Sequence, residues 1–363
     1  MDLDAIKGIL RKFAEVEARG VSPLYEHLAL QAASDDDVAG LLSVARDGEV
    51  RATLLMATAH RLVQADPIHP LSRYYPSLGG FDGVDSETWP LFRSFLLERA
   101  EKARALISSR YTQTNEVRRA ALLYPGVARA AREAGGKVSL LEVGCSAGLL
   151  LGLDRFGYRY QCDGGEQLTA GPAKTPVGLH CALDLAPGAV APKLPKKLAV
   201  LDRAGLDRAP VDLSDEDELA WLEACVWADQ PDRIRLLRTA AAEQAKHRPR
   251  LITGDGVADL PDAAASLDGP LVVVTSHVLA YFSPDRRASF VSELAALAES
   301  RPVWWVSEEF YGAGLETVLP GRSDLAGDGL ATLGVVRWED GKPEAHALAR
   351  TAPHGQRMTW LPL

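Results

Sequence analysis

One stretch limits the fold more than any other: VSLLEVGCSAG, from Val138 to Gly148, an apolar run that breaks into glycines. A short unbroken apolar run closed by a glycine turn reads as a parallel strand buried on both faces. The letters that follow, AGLLLGLDRF, read as the helix returning over the sheet. Where such a strand becomes a helix, open α/β sheets bind their ligands. Gly144 and Gly148 permit a tight turn and a close approach, and the amides of a helix start attract an anion.

The same grammar continues beyond Gly135-Gly136. RLITGD, PLVVVTSH and PVWWVSEE read as further strands, with DRRASFVSELAALAES a helix between the last two. GVVRWEDGKPEAHALAR reads as a hairpin about Asp340-Gly341, and QRMTWL as a closing strand. The expected fold is therefore α/β: a doubly wound, mostly parallel Rossmann-like sheet with an antiparallel C-terminal edge. Before it the signals are helical. Ile6, Ile9, Leu10, Phe13 and Val16 recur at helical spacing, and Ser22-Pro23 reads as a cap and first turn. We expect a helical N-terminal cap domain over 1–110 and a sheet domain over 111–363. The Gly- and Pro-rich stretch around 164–197 reads as an insertion or substrate loop inside the second.

Composition narrows the partners. A net charge of −9 over 363 residues argues against a phosphate backbone as the main partner, since that affinity comes from Lys and Arg. No apolar run reaches membrane length, and Met1 leads into an acidic amphipathic segment rather than a signal sequence. The expectation is a cytoplasmic protein acting on a small molecule, without nucleic acid or membrane, its oligomeric state open. Cys145, Cys162, Cys181 and Cys225 form no C-x-x-C pair, so no metal site is expected.

Around the turn, Glu142 stands just before the first glycine, an arrangement common in S-adenosylmethionine sites. That cofactor is the expected ligand, held by Glu142, Gly144, Cys145, Ser146 and Gly148, with Asp255 and Gly256 of GDGVADLP at the adenine. Asp207 closes a candidate second strand, the customary place of a ribose-binding carboxylate, and is preferred to Asp163, which lies about 20 residues past the turn. On the acceptor side His277 is the candidate base and Tyr281 shares its face. Glu308 and Glu309 point to opposite faces of one strand, and Glu308 is the one expected to contact substrate. Tyr111, Asn115 and Glu116 of RYTQTNEVRR, with Tyr75 in the aromatic loop, complete the substrate set. The same glycine turn spells G-x-S-x-G, which would make Ser146 a hydrolase nucleophile with Asp324 or Asp328 and His354 as partners. A binding or regulatory protein that keeps the cofactor fold without catalysis is a further alternative.

Nearly the whole chain resembles a bacterial family designated as a domain of unknown function, DUF2332. The matching segments are SPLYEHLA, YYPSLGG, RYTQTNEVRRAALLYP, LLEVGCSAGLLLGLDRFGYRY, RAGLDRAPVDLSDEDELAWLEACVWADQ, GDGVADLP, SHVLAYF and APHG. The resemblance implies a class I methyltransferase-like sheet with a helical N-terminal extension and brings no assigned substrate. That family often carries Asn in a segment like SAGLNL, where this chain has Leu150.

Overall fold

A computed structural model describes residues 1–362. The chain divides into two compact units, one of residues 1–114 with 212–237 and one of residues 115–211 with 238–363. The division differs from the expected one in taking 212–237 into the helical unit.

The helical unit is built from α1 (Leu3–Lys12), α2 (Pro23–Ala32), α3 (Asp36–Ala39), α4 (Ala52–Gln64), α5 (Thr88–Glu98), α6 (Ala100–Ser109) and α8 (Glu216–Ala224), and it contains the first half of α9 (Pro231–Gln244). Its helix starts follow the sequence cues. The Ser22 hydroxyl accepts from the Tyr25 amide at 3.1 Å, and the Asp35 carboxylate from the Val38 amide at 2.9 Å. Named side chains draw the distant segment 212–237 in. Trp221 is buried in the helical core and donates to the Tyr111 carbonyl at 2.8 Å, while Arg110 pairs with Asp217 and Glu218. His60, fully buried in α4, lies 3.1 Å from the Ala224 carbonyl and 2.8 Å from the Ser77 hydroxyl.

The second unit contains an eleven-stranded, mostly parallel sheet. Its strands are β1 (Lys137–Val143), β2 (Gly157–Cys162), β3 (Gln167–Ala170), β4 (Gly178–Leu185), β5 (Ala199–Asp207), β6 (Arg250–Thr253), β7 (Leu271–Ser276), β8 (Val303–Glu309), β9 (Ala331–Glu339), β10 (Lys342–Thr351) and β11 (Arg357–Trp360). The order across the sheet is β3-β2-β4-β11-β10-β9-β8-β7-β1-β5-β6. Strands β1, β7 and β8 are buried along nearly their whole length, which is why each reads as an unbroken apolar run. At the β9–β10 hairpin both Asp340 and Gly341 have positive φ, 49° and 73°, the turn that an Asp-Gly pair favours. Helices α10 (Leu260–Ala265) and α11 (Pro284–Ala298) belong to this unit as well.

Helix α7 (Arg119–Glu133) packs on β8, β9, β7, β4 and β1. Gly126 makes this possible, since a Cβ there would stand 2.8 Å from Val306 Cγ1. Pro125 interrupts the helix ladder and orphans the Ala121 carbonyl. The Tyr160 hydroxyl repairs the loss by donating to that carbonyl at 2.8 Å.

Two expectations give way. AGLLLGLDRF does not form an α-helix; Leu149–Arg155 is a 3-10 helix whose Leu149, Leu150, Leu151 and Leu153 are all buried. An apolar residue at nearly every position leaves no polar stripe, and Phe156 turns back beneath Gly152 to begin β2. The stretch 164–197 is not a loop alone, because it supplies both β3 and β4 to the sheet. Its signal is period two: Leu179, Cys181 and Leu183 are buried on one face of β4. The flanking glycines and prolines overshadow that alternation.

Candidate functional site

Strands β1 and β7 are parallel neighbours, with β5 on the other side of β1 and β8 on the other side of β7. The turns that follow them meet. A Cβ on Gly144 would fall 2.4 Å from Val278 Cγ2, so only glycine fits, and its φ of 76° demands one as well. Gly256, after β6, is pressed in the same way against Val143 and Phe282, and Gly148 against Leu251.

Most of the turn's amides are already taken. Gly144 donates to the Leu206 carbonyl at 2.8 Å, Ser146 to Asp207 Oδ2 at 2.7 Å, Gly148 to the Cys145 carbonyl at 2.7 Å and Leu149 to Asn115 Oδ1 at 3.0 Å. The expected anion-binding helix start is therefore corrected: a 3-10 helix follows the turn, and these four N–H groups are satisfied. What the turn leaves open is an acceptor. Glu142 is 3% exposed, and its Oε2 is buried with no hydrogen-bond partner. Burial, with Asp207 adding repulsion against the pull of Arg119, holds its carboxyl well above the usual carboxylate range. Ser146 has a left-handed φ of 52°, and its hydroxyl is also buried without a partner.

The turn after β7 is arranged the other way. His277 has a φ of 55°, outside the comfortable range for a non-glycine residue. Its amide donates to the Glu308 carbonyl at 3.1 Å, and its Nε2 lies 3.3 Å from Glu308 Oε2. Phe310 meets the imidazole edge-on, with ring centres 5.1 Å apart. Glu308 is fully buried. The Ser276 hydroxyl donates to its Oε2 at 2.8 Å and the Thr351 hydroxyl to its Oε1 at 2.9 Å. Burial alone would raise its pKa, but His277, Arg119 and Ser276 outweigh burial and hold it below the ordinary value. Glu309, on the other face of β8, accepts from the Val278 and Leu279 amides at 3.0 and 3.2 Å. Burial pushes its pKa up to about 8. Residues of one kind on one strand thus hold different charge.

Arg119, at the start of α7, is 8% exposed, and its positive charge acts on Glu142, Glu308 and Glu309 together. Its Nε donates to the Pro353 carbonyl at 2.8 Å, and Gly355 lies so close to the Arg118 backbone that a Cβ would stand 2.4 Å from it. The segments RYTQTNEVRR and APHG, distant in sequence, are thereby packed together. Sequence reasoning passed over Arg119, Ser276 and Thr351, and weighed Glu309 only as the alternative to Glu308. The only signals were that Arg119 adjoins the polar cluster and Thr351 immediately precedes APHG.

The other expected residues distribute as follows. Asn115 supports the glycine turn through Leu149, and Glu116 is buried with its Oε1 accepting from the Arg118 amide at 3.1 Å. Asp207 stands beside the turn, whereas Asp163 lies in the β2–β3 connection at the far side of the strand order, which excludes it from this turn. Cys145 is buried against Gly205, and burial raises its thiol pKa far above the ordinary value. Asp255 is a correction. Its carboxylate pairs with Arg286 at 2.6 and 2.7 Å and accepts from the Val257 and Ala258 amides, so it caps a turn rather than waiting for an adenine edge. Tyr281 is 67% exposed on the 3-10 turn Leu279–Tyr281. Tyr75 and Tyr111 belong to the helical unit. Tyr75 is fully buried with its ring 5.5 Å from that of His60, and Arg46 stacks 4.5 Å over the Tyr111 ring.

The hydrolase arrangement is not assembled. No base reaches the Ser146 hydroxyl, Asp324 pairs with Arg322, Asp328 pairs with Arg350, and His354 is exposed. Among the described residues no three His, Cys, Asp or Glu side chains are placed to hold a metal ion together. No described helix is long and apolar enough to cross a membrane.

No curated protein matches the chain. A family model does, over residues 7–360, nearly the whole length. The chain belongs to DUF2332, the family described as uncharacterized protein conserved in bacteria.

Proposed function

We propose that the protein is an S-adenosylmethionine-dependent methyltransferase for a small-molecule acceptor. The observation that carries this reading is Glu142: a buried carboxyl with an unpartnered oxygen, beneath a left-handed glycine turn at the carboxyl end of the central strand. A buried acceptor left open costs about 1–3 kcal/mol, so its retention calls for a ligand donor. The ammonium of a methionine moiety is such a donor. A pyrophosphate is not, because the turn offers an acid where that ligand needs open amides. The order β6-β5-β1-β7-β8 supports the reading, since numbered in chain order it is the 3-2-1-4-5 of doubly wound nucleotide sheets. Asp207, at the end of β5 next to the turn, fits the ribose hydroxyls, with its Oδ2 holding the Ser146 amide.

When bound, the cofactor supplies an electrophilic methyl group. This chain's residues supply the rest. His277, fixed by its own strained backbone and by the Glu308 carboxylate, accepts the acceptor's proton; Glu308, kept ionised by Ser276, Thr351 and Arg119, stabilises the resulting imidazolium. Glu308 is thus a positioning residue rather than a direct substrate contact.

Titration calorimetry with S-adenosylmethionine and S-adenosylhomocysteine tests the reading. Micromolar binding that Glu142→Gln weakens by tenfold or more is the expected result. No heat with the wild-type protein, together with labelling of Ser146 by a fluorophosphonate, would replace this reading with the hydrolase.

A further inference from the structure

We propose that an open, arginine-lined depression in the sheet-bearing unit is a binding site for a small phosphate-bearing anion. It has a volume of about 470 Å³ and is lined by Arg155, Asp202, Arg203, His247, Arg248 and Arg250. Four guanidiniums and an imidazole face one carboxylate, in a chain whose net charge is −9. Ligand pockets of this size are usually apolar with a few polar groups, so a lining made wholly of charged and imidazole side chains selects for charge rather than for hydrophobic surface.

Three elements bring these residues together. Arg155 closes the 3-10 helix that leaves the glycine turn, Arg203 lies mid-strand in β5, and His247 to Arg250 lead into β6. Pro249 and Leu251 fix that last segment, because both pack where a Cβ on Gly148 would stand. Arg203 precedes Asp207 by four residues, which is about 13 Å along an extended strand. The cavity is thus separate from the Glu142 and His277 turns.

The nearby acids are already spoken for. Asp154 holds Arg203 at 2.7 and 3.2 Å, Asp202 lies 3.5 Å from Arg250, and Glu243 pairs with Lys246 at 2.7 Å. Arg203 also donates to the Leu151 carbonyl and Arg250 to that of Ser266, which fixes both heads. Among the described residues Arg155 and Arg248 make no hydrogen bond or ion pair. Arg155 is half-buried, and burial together with the neighbouring Arg203 draws its pKa down against the pull of Asp154 and Glu243. Crowded guanidiniums repel unless an anion sits between them, and the planar fork of each suits two phosphoryl oxygens at once. Four guanidiniums exceed the needs of a single phosphate, so a diphosphate or a phosphate ester matches them better.

The test uses the full-length chain and inorganic pyrophosphate, titrated calorimetrically at fixed ionic strength. The expected result is one saturable site with a Kd below about 1 mM, weakened at least tenfold in Arg155→Gln/Arg248→Gln. Arg357→Gln, which removes an arginine paired with Asp184 elsewhere on the sheet, is expected to bind as the wild type does. Should the double variant lose its folded circular dichroism spectrum, the two single variants serve instead, each weakening binding about threefold or more. Absence of saturation up to about 10 mM, or equal affinity in the arginine variants and the wild type, overturns the proposal. S-adenosylmethionine binding is measured on the same samples, so the two sites succeed or fail separately.

Discussion

Glu142 and Glu308 are the same residue type, equally deep, each at the carboxyl end of a central strand, yet they are held in opposite states. Glu308 collects the Ser276 and Thr351 hydroxyls and the imidazole of His277, and stays ionised. Glu142 has an oxygen with no donor at all, and burial with Asp207 nearby pushes its pKa well above the ordinary value. Burial pushes both carboxyls up; at Glu308 the imidazole, guanidinium and hydroxyl delivered to it outweigh burial, and at Glu142 Arg119 alone does not. One carboxyl has a partner on each oxygen within the protein, and the other has an oxygen left without one.

The sharpest way to break this contrast is Glu308→Ala. It strands two buried hydroxyls and an imidazole, and unfolding in urea should show a loss of about 3–5 kcal/mol. A loss below about 1 kcal/mol would mean that the two hydroxyls find water instead. Next in size is Glu309→Gln, read as stability against pH. With an ordinary pKa near 4.5 and a folded one of about 8, Glu309 holds its proton in the folded state over that interval and loses it on unfolding. Raising the pH through the interval therefore favours unfolding by up to about 1.4 kcal/mol per pH unit, flattening above 8. The glutamine variant should lack this slope, leaving whatever Glu142 contributes with the same sign.

Glu142→Gln should change stability by less than about 1 kcal/mol, since a neutral carboxyl is replaced by a neutral amide of like shape. Its signature lies in binding. An ammonium beside Glu142 draws off its proton, so cofactor titrations in buffers of different ionisation heat should show proton release from the wild type and none from the variant. Equal release from both would remove Glu142 from the contact. The smallest effect belongs to Asp255→Asn, whose carboxylate is held down to about 2 chiefly by Arg286. That depressed pKa gives stability present above the ordinary carboxylate pKa and lost as pH falls toward 2. The pair is partly exposed, so the measured loss at neutral pH should stay within about 1 kcal/mol.

Reading the sequence recovered what local pattern encodes. The strands β1, β6, β7 and β8, the Asp340-Gly341 hairpin and the cap at Ser22 each follow from a short run of letters. It also placed Glu142, Asp207 and His277 at strand ends. It missed what depends on pairing between remote segments. Thr351 reaches Glu308 only because β10 and β8 flank β9, and Arg119 reaches three acids only because α7 crosses several strand ends. Asp255 looked available because its partner Arg286 is 31 residues away on α11. The strands β2 to β4 went unread because their alternation is embedded among glycines and prolines.

Strand β11 has four residues, yet it alone joins β4 to β10. Its partner β4 precedes it by about 175 residues, as the pairing of Arg357 with Ala182 shows. During synthesis the β2-β3-β4 ribbon therefore emerges with one side of β4 unmatched, and it stays so until ten strands have been made. Pairings this remote form slowly, and a bare strand side in the meantime is a template for another copy of the chain. The nascent protein's need for shielding is concentrated in that interval, and four late residues end it.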